Sequence, residues 1–311
     1  MPALRDGNAE QQASLAALVE RGLLIPSGVP GVYGRGADFE AVRLGVDALV
    51  TRAAAGDAAE QLRFPPVLPR RQLEATGYLK SFPHLAGAIF AFEGDEAEAL
   101  ALHETATRHE DWSGHVDQSD LVLMPAACYP VYPAIALRGP LAPQGATVDV
   151  GGGYVFRHEP STDPARLQMF HMRELIRLAE PETVAAWRDG WRDRALELLR
   201  SIGLEAELDV AADPFFGRGG RMLARSQRQQ ELKFEILVAI AGPEPTAIAS
   251  FNYHQDHFAA TYGIVMQDGS AAHTACLGFG LERVTLALLA THGLDLAGWP
   301  VGVRADLGLG G

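Results

Sequence analysis

The sequence contains very little cysteine and no long apolar run, and each shortage excludes a class of protein. Its 311 residues include two cysteines, Cys128 and Cys276, too few for the disulfide framework of a small secreted domain. No uninterrupted apolar segment approaches the roughly 20 residues that cross a bilayer. The beginning, MPALRDGNAEQQ, lacks the basic and apolar regions of a signal peptide. We therefore expect a cytoplasmic protein with no membrane segment and with reduced thiols.

Positive charge is also in short supply. The chain carries 26 basic and 39 acidic side chains, which gives a formal charge of −13. A surface of this sign does not attract a polyanion such as tRNA or DNA unless it has a local basic patch. The hydrophobic fraction is 48%, which is ordinary for a globular protein and predicts a sizeable buried core. The charge therefore counts against a general nucleic-acid-binding protein.

Apolar periodicity and turn residues predict an α+β fold. Helices are expected at 9–25, 38–55, 181–203 and 281–291, and strands at 121–136, 147–156, 234–240, 247–253 and 262–266. The proline-rich segment 62–69 is typical of an edge strand. Because the strands do not alternate regularly with helices, the sheet is expected to be mostly antiparallel.

The segment YVFRHEPSTDPARLQMFHMRE predicts a hairpin that carries chemistry. Its first strand ends in Arg157 and Glu159, two residues apart and so on the same face, and its turn carries Arg166. The returning strand places Phe170 and Glu174 on one face. Two arginines, two carboxylates and an aromatic ring are suited to binding a triphosphate, orienting an amine and stacking on a purine.

A second segment, CLGFGLERVTL, begins at Cys276 and predicts a site where a ligand approaches the backbone. Gly278 and Gly280 permit this close approach because they have no side chain. Arg283 follows in the first turn of the predicted helix 281–291. From that position the guanidinium group is expected to reach a nucleotide phosphate.

Together the two segments resemble two signature motifs of the class II aminoacyl-tRNA synthetases. Arg-His-Glu at 157–159 followed by Phe170 resembles motif 2, and GFGLER at 278–283 resembles motif 3, in the family's order. The resemblance covers residues 60–292. It implies an α+β catalytic core in which a mostly antiparallel sheet carries the active site and helices pack on its other side.

Within this class, the sequence is most similar to the seryl-tRNA synthetase core, through LKFEILVAI at 232–240 and through ASFNYHQDHFA. The threonine and glutamate of the ordinary bacterial enzyme are missing from MPAACYP, where Cys128 stands instead. That departure resembles the atypical zinc-dependent branch, in which two cysteines and a glutamate hold the metal. The resemblance implies a zinc site of Cys128, Glu174 and Cys276, with the fourth position left for the substrate's amino group.

The resemblance also implies roles in binding ATP and an amino acid. Arg157 and Arg283 are expected to bind ATP phosphates with help from Lys233, and Mg²⁺ is expected to bridge these phosphates. Glu159 would orient the adenine or the amine, and Phe170 would stack on the base. The expected catalytic residues are Arg157, Glu159 and Arg283; the nucleotide-binding residues are Arg157, Glu159, Arg166, Leu167, Phe170, Lys233, Ala247, Ser250 and Arg283; the amino-acid-binding residues are Glu159, Ser250 and Asn252.

The extent of the core narrows the expected function. Residues 1–60 are interpreted as a helical segment packed on a catalytic domain at 61–311, which leaves little chain for a tRNA-binding arm. Truncated relatives of the zinc-dependent seryl-tRNA synthetases are amino acid:carrier-protein ligases, and the sequence resembles them. The resemblance implies ATP-dependent activation of a small amino acid and its transfer to the phosphopantetheine thiol of an acidic carrier protein. A homodimer that uses no tRNA is expected.

The resemblance implies a small amino acid, glycine or alanine, which fits the expected site because Ala126, Ala127 and Ala249 surround it with little polar functionality. Three other functions stay open. A tRNA ligase is disfavoured by the acidic charge, and a noncatalytic synthetase paralogue by the presence of both motif arginines. A zinc hydrolase would turn over without ATP.

Three further segments contain residue types that are typical of binding sites. Arg221, Arg225 and Arg228 share one face of a predicted helix, which is either a solvated face or a docking site for the acidic carrier. The segment FFGRGGRM at 215–222 lacks the P-loop lysine and predicts a mobile loop. The histidines of 103–115 match no usual zinc spacing and predict a solvated loop.

Overall fold

The computed structural model describes residues 6–242 and 244–310; Met1–Arg5, part of the segment tested for a signal peptide, lie outside the described residues. The helices are α1 (Ala9–Glu20), α2 (Ala37–Ala53), α3 (Arg70–Ala75), α4 (Tyr78–Ser81), α5 (Glu96–Thr107), α6 (Val131–Ala136), α7 (Pro181–Ser201), α8 (Gly217–Gln229), α9 (His257–Tyr262), α10 (Leu281–His292) and α11 (Val301–Asp306). The strands are β1 (Leu24–Pro26), β2 (Tyr33–Arg35), β3 (Glu60–Gln61), β4 (Val67–Pro69), β5 (Ala88–Ala91), β6 (Asp117–Leu123), β7 (Ala146–Phe156), β8 (Met169–Ala179), β9 (Glu207–Val210), β10 (Lys233–Ala239), β11 (Pro245–Gln255) and β12 (His273–Gly280).

A seven-stranded sheet in the order β3-β7-β8-β12-β11-β10-β9 organises the fold. All of its neighbouring strands run antiparallel except the short pair β3 and β7. A three-stranded sheet, β4-β6-β5, lies beside it, and β1 pairs with β2. The α+β fold with a mostly antiparallel sheet is therefore confirmed. No helix among the described residues is long and apolar enough to cross a membrane.

The large sheet has a buried cluster on each face. On one face, Trp191 of α7 and Phe39 of α2 pack with the strand residues Phe251 and Phe279. Leu18 of α1 belongs to the same cluster, so the N-terminal segment shares the core of the sheet. The other face packs against a second cluster that includes residues of α6 and α9. The helices α2, α7 and α10 therefore cover one face and leave the other for the site.

Several predicted elements have different boundaries. The helix predicted at 9–25 ends at Glu20, because Gly22 adopts a φ of 68° and the chain then enters β1. The strand predicted at 121–136 was wrong beyond Leu123, since its second half forms the helix α6. A short apolar run is compatible with either structure when its periodicity is unclear.

The strand predicted at 262–266 was also wrong. Tyr262 ends the helix α9, Gly263 has a φ of 68°, and Val265 and Met266 make only isolated bridges. The strand β12 was missed because Gly278 and Gly280 were interpreted only as a place where a ligand approaches the backbone. The interpretation of 62–69 as an edge strand holds for Val67–Pro69, which borders the small sheet.

Two predicted loops contain helices. The segment 215–222 enters α8 at Gly217, so its glycines lie in the first helical turn and not in a loop. In the segment 103–115, the first five residues belong to α5. Among the residues that the structure describes, no cluster of metal ligands is found in this region.

Arg173 joins the sheet to α2 through a buried ion pair. Its guanidinium group lies 2.6 Å from the Asp149 carboxylate and 2.5 Å from the Asp47 carboxylate. We expect Arg173→Ala to lower the free energy of unfolding by about 3–5 kcal/mol, because it leaves the Asp149 charge buried without its partner. Urea unfolding followed by circular dichroism measures the change.

Arg138→Ala is the matched control for this prediction. It breaks the Arg138–Glu60 ion pair, whose side chains are 47% and 48% exposed, and such surface pairs contribute about 1 kcal/mol or less. Equal losses of stability in the two variants would contradict the role given to Arg173.

Candidate functional site

The strand register gathers the chemical side chains on the face of the sheet that α7 and α10 leave uncovered. Glu174 lies opposite Gly278, and Ser250 lies opposite Gly278 on its other side. Asn252 pairs with Cys276 and also with Lys233 of β10. Since side chains of directly paired residues point to the same face, these residues share one surface.

A buried group of two thiols and a carboxylate forms the centre of this surface. Cys128, in the segment before α6, comes to the sheet beside Glu174 and Cys276. Their ligand atoms all lie within 4.8 Å of one another, and the residues are 4%, 3% and 3% exposed. The structure thus brings together the three residues that the sequence predicted as metal ligands. They form the one such cluster found in 6–242 and 244–310.

The electrostatics of the group fit a bound cation. A hydrogen bond between the thiols raises the pKa of Cys128 and lowers the pKa of Cys276 well below its ordinary value. Burial and the nearby Cys276 charge raise the pKa of Glu174 well above its usual range. The Glu174 Oε2 atom is buried without a hydrogen-bond partner. Two sulfur ligands and one carboxylate are a donor set that suits Zn²⁺ and leaves one tetrahedral position free.

Strand β11 supplies a second layer of contacts to Cys276. The Asn252 Nδ2 and His254 Nε2 atoms each lie 3.6 Å from the Cys276 sulfur. Thr274 Oγ1 lies 3.1 Å from the other ring nitrogen of His254. The sequence assigned Asn252 to the amino acid and did not assign His254, although its spacing of two residues from Asn252 was the available signal.

The predicted phosphate-binding arginines converge at the edge of the same face. The Arg157 guanidinium lies over the Phe170 ring, 5.6 Å from its centroid. Arg283 donates to the carbonyl oxygens of Ala165, at 2.8 Å, and Ala247, at 3.0 Å. Burial lowers the pKa of Arg283, and the positive charge of Arg157 lowers it further. Two half-buried guanidinium groups that lie near each other favour a ligand of high negative charge.

Glu159 and Arg166 form an ion pair at 3.4 Å, next to this pair of arginines. The charge of Glu159 raises the pKa of Arg283, while that of Arg166 lowers it. Leu167 is buried in the same hairpin. The hairpin thus carries its predicted groups to one place, although Arg157 and Glu159 follow the last residue of β7 instead of lying within it.

Lys233 occupies a different electrostatic setting from the arginines. Its ammonium group lies 2.6 Å from Asp213 and 2.9 Å from Glu235. Burial alone would lower the pKa of Lys233, but the two carboxylates raise it above the ordinary value. Gln227 of α8 also donates to Asp213, at 2.9 Å. Asp213, which the sequence did not single out, therefore links α8 to the lysine.

The alanines predicted to surround the site divide between the two faces of the sheet. Ala127 packs in the cluster that contains Cys128. Ala249 was wrongly placed at the site, because it belongs to the cluster of the helix-covered face together with Phe279, its partner in the strand register. Tyr132 and Phe258 stack at 4.0 Å on the site face and fill the space beside Cys128 with aromatic rings.

Arg221, Arg225 and Arg228 are exposed on α8, as the helical spacing predicted. Met222 and Leu223, on the same helix, are 77% and 49% exposed. The helix therefore presents a mixed basic and apolar surface to solvent.

The chain is similar to curated proteins, while no family model matches it. Amino acid–acyl-carrier-protein ligase 2 of Bradyrhizobium diazoefficiens is 48% identical over 283 residues, which cover 91% of this chain and 84% of that protein. Ligase 1 of the same organism is 48% identical over 284 residues, covering 91% and 86%. The type-2 serine–tRNA ligase of Methanopyrus kandleri is 27% identical over 205 residues, covering 61% and 38%.

The fold is shared with solved class II synthetases. The crystal structure of M. kandleri seryl-tRNA synthetase in complex with A. aeolicus tRNASec aligns with a TM-score of 0.81 and 20% identity, covering 94% of this chain and 60% of that one. Cytoplasmic serine–tRNA ligase from Naegleria fowleri, in complex with AMP, aligns with a TM-score of 0.68 and 13% identity, covering 95% and 59%.

Proposed function

Because the chain belongs to the amino acid–acyl-carrier-protein ligases, we propose that it activates a small amino acid with ATP and transfers it to a carrier-protein thiol. The observation that carries the proposal is the convergence of two unlike binding sites on one sheet face. A buried cluster of two thiols and a carboxylate lies on the same surface as the arginine pair. The first suits a metal that binds an amine, and the second suits a triphosphate.

In the first step, the amino acid carboxylate attacks the α-phosphate of ATP, and pyrophosphate leaves. Arg157 and Arg283 bind the phosphates and stabilise the charge that develops on the oxygens around phosphorus. Phe170 faces the nucleotide base, and Glu159 holds the amine or adenine by hydrogen bonds. Mg²⁺ bound together with ATP would supply positive charge for the phosphate oxygens. In the second step, the carrier's phosphopantetheine sulfur attacks the adenylate carbonyl, a thioester forms, and AMP leaves.

Cys128, Glu174 and Cys276 hold the zinc, which when bound supplies a Lewis-acidic position for the substrate's amino group. Asn252 and His254 fix the Cys276 sulfur through their hydrogen bonds. Tyr132 and Phe258 limit the space on this side, which favours glycine or alanine over larger amino acids. The homodimer implied by the family resemblance stays a prediction.

Metal analysis tests the cluster directly. Protein purified without chelator is expected to contain about one zinc per chain. Glu174→Gln should weaken zinc binding by about a hundredfold, because it removes a charged ligand while keeping the size of the side chain. Plasma mass spectrometry gives the content, and competition with a chromogenic chelator gives the affinity.

Glu235→Gln is the matched control, since Glu235 is a carboxylate on β10 of the same sheet that pairs with Lys233 instead of the thiols. It should keep the affinity of the original protein. A metal-free original protein that also fails to take up added zinc would contradict the proposed site.

Pyrophosphate exchange tests the first reaction. With each of the twenty amino acids in turn, ATP–pyrophosphate exchange should be fastest with glycine or alanine. Arg283→Met should reduce kcat/KM for ATP by about 10²–10³-fold, because it removes a cation at the developing charge. Arg138→Met, which alters only an exposed ion pair, should leave exchange unchanged.

Mass spectrometry of a phosphopantetheinylated carrier protein then tests the second reaction. A mass increase equal to one aminoacyl residue is expected, and the product should be cleaved by hydroxylamine as a thioester. Exchange together with charging of tRNA and no carrier product would instead support a tRNA ligase.

The basic face of α8 is the proposed docking site for an acidic carrier. Changing Arg221→Glu and Arg225→Glu together should lower kcat/KM for transfer by about tenfold or more, because it replaces attraction with repulsion, while exchange stays unchanged. Arg52→Glu with Arg108→Glu makes the same charge change at exposed residues in α2 and directly after α5, and it should retain transfer. Equal loss of exchange and transfer in the α8 variant would contradict docking.

A further inference from the structure

Glu282 carries a fully buried carboxylate that the proposed chemistry does not use. Its residue exposure is 0%. One oxygen lies 2.8 Å from the His171 backbone nitrogen, and the other lies 2.7 Å from His171 Nδ1 and 2.8 Å from the Arg35 guanidinium. The carboxylate therefore accepts three hydrogen bonds, and its charge is balanced by Arg35. Such complete pairing fixes its position firmly.

The hydrogen bond to the His171 backbone lies where β8 extends beyond the end of its pairing with β12. Pairing of β12 with β8 ends at Gly280 and Met172, so no residue of β12 remains to face His171. The Glu282 carboxylate, in the first turn of α10, takes the position of the next acceptor. This contact attaches the start of α10 to the end of the sheet.

His171 and Glu282 are each adjacent in sequence to a residue of the proposed ATP site. Phe170 precedes His171 on β8, and Arg283 follows Glu282 on α10. Fixing His171 to Glu282 therefore fixes the base-stacking ring relative to the phosphate-binding guanidinium. The Arg283 side chain also donates hydrogen bonds to two carbonyl oxygens. The position of its guanidinium group therefore depends mainly on the position of its backbone.

Arg35 lies on β2, which forms a hairpin with β1 (the N-terminal hairpin), and its ion pair with Glu282 stabilises this contact. It also donates to the Tyr154 hydroxyl, at 2.6 Å, and to Glu40 of α2. The Tyr154 ring in turn packs on the His171 ring, with centroids 3.9 Å apart. The guanidinium thus connects β2, α2, β7 and the start of α10, all around the Glu282 carboxylate.

We propose that Arg35, His171 and Glu282 form a positioning unit for ATP, in which the N-terminal hairpin holds Arg283 and Phe170 at the separation that the nucleotide requires. The proposal rests on the proposed function, because it concerns the same ATP site. None of the three residues needs to touch ATP. Their effect passes through the two neighbours, and a misplacement of about 1 Å at a reacting group is enough to cost up to a hundredfold in rate.

Steady-state exchange kinetics of Arg35→Met and Glu282→Gln test the proposal. Both variants should raise KM for ATP by about tenfold or more and leave KM for the amino acid within about twofold, because the disturbance reaches the nucleotide residues first. Arg35→Lys keeps the positive charge beside Glu282 and should recover part of the loss. Circular dichroism and urea unfolding establish that each variant is folded at the assay temperature.

Arg173→Met is the matched control, because it also removes a buried arginine that pairs with carboxylates on the helix-covered side. It should lose stability while keeping KM for ATP. If all variants lose stability alike and none changes KM for ATP, Glu282 has only a structural role and the inference is wrong. If the original protein shows no ATP-dependent exchange with any amino acid, the proposed function itself fails.

Discussion

The register between β8 and β12 is the constraint on which the site depends. It sets Glu174 opposite Gly278 and, two residues along, Ile176 opposite Cys276, so carboxylate and thiol point to one face. A shift by one residue would turn each side chain to the helix-covered face and into its apolar cluster. The clusters on both faces therefore enforce the register, since Leu277 and Phe279 are fully buried under the helices. Packing on the helix-covered face thus determines which side chains point to the site face.

Charge balance is the second constraint, and it divides the site into two parts. The thiols and Glu174 form a buried acidic group, while Arg157 and Arg283 form a half-buried basic one. The positive charge of Arg157 lowers the pKa of Glu174 but does not overcome the effect of burial. Each group is therefore poised for a ligand of the opposite sign. A divalent cation and a triphosphate would satisfy them separately, so the proposed function assigns one ligand to each group.

The sequence was sufficient to predict the hairpin of β7 and β8, the helices α7 and α10, and the meeting of Cys128, Glu174 and Cys276. It was insufficient where tertiary contacts decide the local structure. The glycines of CLGFGLER predicted close approach of a ligand to the backbone and did not predict a strand, yet Gly278 lies within a strand and is paired on both sides. Contacts that join distant segments, such as Arg35 with Glu282, left no periodic signal, since 247 positions separate the two residues.

Gly278 has a packing role within the sheet. A Cβ atom built at this position would lie 3.3 Å from Cγ and 3.4 Å from Oε1 of Glu174, closer than most real contacts. A side chain there would push the carboxylate away from Cys276 or be pushed itself. The backbone φ of Gly278 is not in the left-handed region, so conformational freedom does not explain the residue. Instead, the absent side chain leaves space for the Glu174 carboxylate, so Gly278 connects the segment GFGLER to the cluster of Cys128, Glu174 and Cys276.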